Sequence, residues 1–414
     1  MRKIAYRIVG GKRLNGVVNV SGSKNAALPI LFATMLIKEP VTLFGVPDIG
    51  DVRKTLTLLQ KMGASVEKNG NSLTLCAKGL SPPSAKEKEI GELRASSYLL
   101  GAGLSRFGEI HMAYPGGCNL GARPLDIHRQ AFTALGASWE ENRETLFVKG
   151  KRLVGREIRL PYPSVGATVN TLLCALGAEG ETVIHGIAKE PHVTSFICFL
   201  REAGADITFF EGGIRVKGKA ALHGCRFTVI PDEIEAATFL IGGALLDSQI
   251  TVRGVLLPHL APLLSLFECM HIDYSCQKES VTVYPSEARG TDVVCAPHPA
   301  FPTDLQPLAA LLLGKTREGG CVTDLVWRER FAYVRELQKM GFLAKEREGG
   351  ICVYPARLFG ARLFATDLRA GAALTLAALS AEGESLVENT AVIERGYERF
   401  LEKWKMLGAS VEHL

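Results

Sequence analysis

The sequence predicts an α/β protein of six similar units, three to each half. Three observations predict it. A phrase in which a helix ends on Gly and runs into a polar strand pair recurs about every 70 residues. A second phrase, a short strand leading through a small polar residue into an Ala/Leu-rich helix, recurs with the same period. A chain of 414 residues also exceeds one small core, which makes two domains the natural division.

The first phrase reads KMGASVEKNGNSLTL from Lys61, LGASWEENRETLFV from Leu135, AGADITFFEGGIRV from Ala203, KMGFLAKEREGGICV from Lys339 and MLGASVEHL from Met406. A degenerate copy begins at Glu268, where His271 follows Met270 and the glycine is missing. Gly63, Gly136, Gly204, Gly341 and Gly408 are expected to stop their helices in the left-handed conformation. The alternating stretch after each then reads as strand, turn and strand.

The second phrase predicts buried helices, because their apolar residues cover most faces. They follow Val18, Glu92, Leu160, Val229, Ala296 and Ala365. Ser, Thr or Asp before each is expected to cap its first amides. The first strand is expected to belong to the other half, since the chain starts in the middle of a unit. The halves should meet near Gly224–Pro231, giving domains 21–229 and 1–20 plus 230–414.

Composition excludes several classes. No stretch reaches the 18 apolar residues of a membrane span, and MRKIAYRIVGGKRL lacks the apolar core of a secretory signal. A net charge of +5 without a Lys/Arg tract argues against nucleic acid. The 10 cysteines contain no CxxC pair, and Cys174 and Cys198 lie in apolar runs as small core residues. The pattern suits a reducing cytosol, with neither a disulfide framework nor a metal site, and no cofactor is indicated.

Charged residues gather where helices start. Lys24 and Asn25 open the first buried helix, and Arg94 precedes the second. Arg369 begins the sixth beside Asp367, a possible partner, and Arg395 and Arg399 open the last helix. Cations at positive helix ends are unfavourable unless an anion joins them, which points to a ligand with several negative charges. Asp304 follows a loop with three prolines and reads either as a cap or as a proton acceptor. Cys118 lies in Pro115-Gly116-Gly117-Cys118-Asn119-Leu120-Gly121-Ala122-Arg123-Pro124-Leu125-Asp126, a loop thiol near a fixed cation. That setting favours a nucleophile or an acid–base group.

Seven phrases in order, among them Gly22-Ser23-Lys24-Asn25-Ala26-Ala27-Leu28, Leu93-Arg94-Ala95-Ser96, PGGCNLGARPLD, Ser164-Val165-Gly166-Ala167-Thr168 and Ala365-Thr366-Asp367-Leu368-Arg369-Ala370, carry a resemblance over nearly the whole chain. The chain resembles the UDP-N-acetylglucosamine 1-carboxyvinyltransferases, a family of enolpyruvyl transferases. The resemblance implies a two-domain inside-out α/β barrel, each domain made of three βαβαββ repeats. It implies transfer of the enolpyruvyl group of phosphoenolpyruvate to the 3′-hydroxyl of UDP-N-acetylglucosamine through a tetrahedral ketal, with phosphate leaving. By this resemblance Lys24, Arg123 and Arg395 hold phosphoenolpyruvate, with Asn25 and Arg94 close by. Cys118 donates the proton and is the target of fosfomycin, and Asp304 acts on the sugar hydroxyl. Arg123, Pro124, Leu125, Asp126, Ile127, Ser164, Val165, Gly166 and Val326 line the nucleotide-sugar site, with Arg330, Asp367 and Arg369 among the further contacts. Closure of the halves over the nucleotide sugar, with the Cys118 loop as a lid, is expected to follow.

Tyr162 stands where the family commonly has a basic residue, Arg328 where an acidic one is usual, and Glu394 replaces an aspartate. The stretch Asp292–Cys295 lacks the arginine and threonine often found there. Two alternatives remain. One is a UDP-sugar-binding regulatory paralogue without turnover; the other is an enolpyruvylshikimate-phosphate synthase, whose pattern lacks the Cys-bearing loop.

Overall fold

The computed structural model describes residues 5–84, 87–116 and 125–414. Cys118, Arg123 and Pro124 lie outside the described residues. The chain forms two compact units, one holding residues 22–116 and 125–230, the other residues 5–21 and 231–414. Each has its own apolar core.

Among the described residues there are five four-stranded sheets and one three-stranded sheet. The fifth unit shows the plan. Val293–Cys295 runs parallel to Gly320–Asp324, which pairs antiparallel with Gly350–Tyr354, which pairs antiparallel with Leu343–Arg347. The parallel pair needs a crossover, and the buried helix Gln306–Lys315 provides it. The antiparallel pair needs only a tight turn.

The helix-ending glycines take the left-handed conformation, with φ between 93° and 106° at Gly63, Gly136, Gly204, Gly341 and Gly408. In the degenerate copy His271 takes that place at φ 55°. The backbone demand therefore survives the loss of the glycine.

The chain does start in the middle of a unit. Ala5–Val9 is an inner strand of the last sheet, between Glu384–Glu388 and Ser410–His413. Asn15–Asn19 pairs parallel with Gln249–Arg253, in the unit that holds residues 231–414. Its counterpart, Arg226–Thr228, pairs parallel with Val41–Phe44 in the other unit. Each unit thus completes a sheet with a strand far away in sequence.

Four of the six buried helices are capped as expected. Ser23 accepts from Ala26 N, Ser164 from Ala167 N, Asp232 from Ile234 N and Glu235 N, and Asp367 from Arg369 N and Ala370 N. The second and fifth begin through 3-10 turns, Arg94–Ser97 and Thr303–Leu305, without such a cap. Among the described residues no short strand precedes the second. Residues there form the helical turn Lys88–Glu92 instead. Ion pairs of Lys54 with Glu92 and of Lys61 with Glu87 and Glu89 tie it to the helix Gly50–Lys61. The second and third helices, Tyr98–Phe107 and Val165–Leu176, pack closely because Gly101 has no Cβ; one would come within 2.5 Å of Asn170 O. Asn170 Oδ1 accepts from Gly101 N in return.

Two expectations about cysteine fail. Cys198 is exposed, because its position on Pro191–Glu202 faces away from the buried side carrying Phe196, Ile197, Phe199 and Leu200. Cys321 and Cys352 form a disulfide, because the register sets them directly opposite each other on neighbouring strands.

Candidate active site

In the unit with residues 231–414 the candidate residues centre on Asp304. Its Oδ1 accepts from Arg330 Nη1 at 2.9 Å, and its Oδ2 from Arg369 Nη2 at 2.8 Å and Nε at 3.1 Å. Arg369 is 2% exposed and Arg330 5%. Two guanidinium groups so buried require counter-charge, and the carboxylate of Asp304 meets both. Asp304 is therefore no helix cap. Arg369 also lies over the Tyr397 ring, 5.2 Å from its centroid, and the Tyr397 hydroxyl hydrogen-bonds with that of Thr238 at 2.8 Å. Burial works against the charge on Arg369, but the fields of Asp304, Tyr397 and Asp232 more than offset it and its pKa is raised.

The partnership of Arg369 with Asp367 takes a different form from the side-chain pair that their proximity suggested. Asp367 accepts the amides of Arg369 and Ala370, and the guanidinium reaches across to Asp304. Arg395 is half-buried two residues before Tyr397, in the turns that lead to the helix Phe400–Met406. Val326 follows the strand Gly320–Asp324, and its amide donates to Asp324 Oδ1 at 2.9 Å, as does that of Trp327 at 2.8 Å. Thr303 donates its hydroxyl to Asp324 Oδ2, while its own carbonyl accepts from Arg330. Burial raises the Asp324 carboxyl, against the opposing pull of the Thr303 hydroxyl and the two amides. Two buried donors, Arg330 Nε and Arg369 Nη1, have no hydrogen-bond partner among the described residues.

In the other unit Lys24 opens the first buried helix with its Nζ 3.7 Å from Asp51 Oδ2, and Asp51 is buried. The chain thus supplies a counter-ion for the lysine. Asn25 follows it in the first turn. Arg94 starts the second helix region, donating to Pro115 O at 3.4 Å. Leu125 is buried at the entrance to the helix Asp126–Ala134, on which Asp126 and Ile127 are the first two residues.

Sequence reading missed His128, two residues after Asp126. It is 5% exposed, with its ring against the backbone of Gly166. Burial lowers its pKa to about 4; the Arg94 charge adds to the effect, and Asp126 and a hydrogen bond with the Gly166 backbone oppose it. A Cβ on Gly166 would come within 3.2 Å of its Nε2. His128 thus links Arg94, Asp126 and the Ser164-Val165-Gly166 helix start into one cluster. The signal available was its place on a helix whose first residue was already a candidate. Asp51 and Asp324 were also missed; each is a carboxylate among apolar residues near a candidate. Beside Ile127 a small open cleft of about 160 Å³ is lined also by Gln130, Glu157, Arg159 and Pro161.

Residues 8–404 match the family model of EPSP synthase (3-phosphoshikimate 1-carboxyvinyltransferase). The chain is 40% identical over 408 residues to the UDP-N-acetylglucosamine 1-carboxyvinyltransferase of Halothermothrix orenii, covering 98% of each chain. It is 38% identical over 409 residues to UDP-N-acetylglucosamine 1-carboxyvinyltransferase 2 of Bacillus subtilis, covering 98% of this chain and 95% of that one. Among solved structures, the enolpyruvyl transferase NikO from Streptomyces tendae superposes with a TM-score of 0.90 at 27% identity, covering 100% of this chain and 99% of that one. EPSP synthase from Acinetobacter baumannii gives 0.75 at 18% identity over the full length of both, a likeness of fold. With the same fold, 40% identity over nearly the full length and two buried arginines joined to one carboxylate, the chain belongs to the enolpyruvyl (carboxyvinyl) transferase family.

Proposed function

We propose that the protein transfers the enolpyruvyl group of phosphoenolpyruvate to the 3′-hydroxyl of UDP-N-acetylglucosamine, releasing phosphate, the first committed step of peptidoglycan precursor synthesis. The observation that carries this reading is the Asp304 carboxylate held by Arg330 and Arg369 at a buried helix start. It is a fixed acceptor for a hydroxyl proton. The curated relatives of nearly equal length that carry this activity in their names support the choice of acceptor.

In this reading Lys24, Arg94, Arg123 and Arg395 bind the anionic ends of phosphoenolpyruvate and the nucleotide. Asn25, Pro124, Leu125, Asp126, Ile127, Ser164, Val165, Gly166 and Val326 shape the nucleotide-sugar site. Cys118 gives a proton to the methylene carbon of phosphoenolpyruvate, leaving an oxocarbenium-like centre. The sugar oxygen attacks that centre as Asp304 accepts its proton. Loss of phosphate and of one methyl proton from the ketal restores the enol ether. Both substrates are cytoplasmic metabolites, so the protein acts in the cytoplasm; among the described residues no helix is long and apolar enough to cross a membrane.

Phosphate release with each substrate alone and with both tests the proposal. Release only with both, together with a nucleotide sugar gaining a carboxyvinyl group by mass, is expected. Release with shikimate 3-phosphate in place of the nucleotide sugar would reassign the acceptor. No release from folded protein that binds UDP-N-acetylglucosamine would mark it as a sensor.

A further inference from the structure

The fifth unit carries a disulfide where its sheet approaches the candidate site. Cys321 and Cys352 occupy directly opposed positions on Gly320–Asp324 and Gly350–Tyr354, with Cα atoms 4.1 Å apart. Their neighbours Val322, Ile351 and Val353 are buried in the core, so alternation puts both cysteines on the outer face of the sheet, where each is partly exposed. The remaining described cysteines differ. Cys174 and Cys295 are buried, with thiols pushed up by burial, and the partly exposed Cys76 and Cys225 and the exposed Cys198, Cys269 and Cys276 are unbridged.

The charges in this row are asymmetric. Lys345 stands directly opposite Cys352 on the third strand. On the other side the Asp292 carboxylate accepts the Cys321 amide at 2.7 Å. A cation favours a thiolate and an anion disfavours one, so Cys352 is the better leaving group.

The position of the bridge gives it a consequence. The covalent loop from Cys321 to Cys352 contains Asp324, Val326 and Arg330. These are the residues that hold Thr303, form the turn after the strand and reach Asp304. Cys321 lies three residues before Asp324 on the same strand.

We infer that Cys321 and Cys352 are a reversible thiol–disulfide exchange site, open to dithiol reductants, whose oxidised form steadies the Asp324–Arg330 segment of the acceptor site. The incoming thiolate bonds to Cys321 Sγ as the bond to Cys352 breaks, and Cys352 leaves as the thiolate opposite Lys345. The second thiol of the reagent then displaces Cys321. The protein gains two electrons and becomes a dithiol, and the reagent becomes a disulfide. Opening the bridge removes a covalent closure of sequence separation 31, so that the Asp324–Arg330 segment is held only by its strand ladder and side-chain bonds and the unfolded chain regains loop-closure entropy. Only the naming of that segment as an acceptor site rests on the proposed function; the exchange chemistry stands apart from it.

The test uses the full-length protein equilibrated with dithiothreitol or with oxidised glutathione, then alkylated and mapped by mass spectrometry. Hydrogen exchange is read at the Val326 and Trp327 amides, and the thermal midpoint on the same samples. Alkylation of Cys321 and Cys352 only after reduction is expected. Faster exchange at the two amides and a lower midpoint in the reduced form are expected too. Cys321→Ser and Cys352→Ser should show no redox dependence, while Cys198→Ser should behave as the parent. Alkylation of both cysteines in the oxidised sample, or a bridge that dithiothreitol leaves intact in the folded protein, would overturn the exchange site. Equal amide exchange in the two forms would overturn its coupling to Asp324. None of these readouts depends on turnover, so a failure here is distinguishable from failure of the proposed reaction.

Discussion

Asp304 is 27% exposed at its side chain, while the arginines it joins are almost wholly enclosed. That difference makes it the member of the cluster open to a substrate. Asp304→Asn keeps the shape but leaves two buried guanidinium groups without their shared counter-charge, so we expect a stability loss of about 3–5 kcal/mol. In the fraction that stays folded, we expect kcat to fall by about 10²–10⁴-fold, the usual worth of a general base. Steady-state phosphate release with circular dichroism as control checks this, and an unchanged kcat would remove Asp304 from proton transfer. His128 supports a prediction about pH. Its folded pKa, about 4, lies below its unfolded value of about 6.5. Below pH 6.5 the unfolded chain takes up a proton that the folded one refuses until about pH 4. Stability from this group is therefore full above pH 6.5 and lost as pH falls toward 4, by up to about 3 kcal/mol. Urea melts at pH 7 and pH 4.5 should show the loss, and His128→Gln should flatten it; an equal pH slope in the variant would contradict the assignment. At this scale Lys24, Arg94 and Arg369 stand out in the sequence as cations at helix starts, and Asp304 as a carboxylate after a three-proline loop. Their partners were not. Asp51, Asp324 and His128 look ordinary in the chain and acquire meaning only through burial beside a charge.

The repeating helix end is the element most fully written in the sequence. Its demand for a left-handed residue is met by glycine five times and by His271 once. A side chain in that conformation costs about 1 kcal/mol. His271 is exposed, so His271→Gly should stabilise the protein by about 0.5–1 kcal/mol, read as a higher urea midpoint at unchanged m-value. A lower midpoint would show that the imidazole makes a contact worth more than the strain. The helix starts were less legible. Ser23, Ser164, Asp232 and Asp367 cap as their types suggest. Thr303 and Asp304 do not cap, because Asp324 and two buried arginines compete more strongly for them.

At the scale of the whole molecule, a ligand that binds only the folded state stabilises it by mass action. UDP-N-acetylglucosamine at about 100 times its Kd should add about 2.7 kcal/mol, seen as a rise in melting temperature. Arg94→Ala should reduce that rise; an undiminished shift would place Arg94 away from the nucleotide sugar. The periodicity by itself determined six α/β units with buried helices, since a 3.6-residue or two-residue apolar pattern answers to local geometry. It also placed the charged residues at helix starts and indicated that the first strands serve a distant unit. Tertiary structure alone decided that Ala5–Val9 is an inner strand of the last sheet, that Asp304 joins Arg330 and Arg369, and that Cys321 meets Cys352. Register and side-chain partnership depend on which distant segments pack together. Local pattern carries no record of that choice, because many pairings satisfy the same alternation and only the packed core selects one.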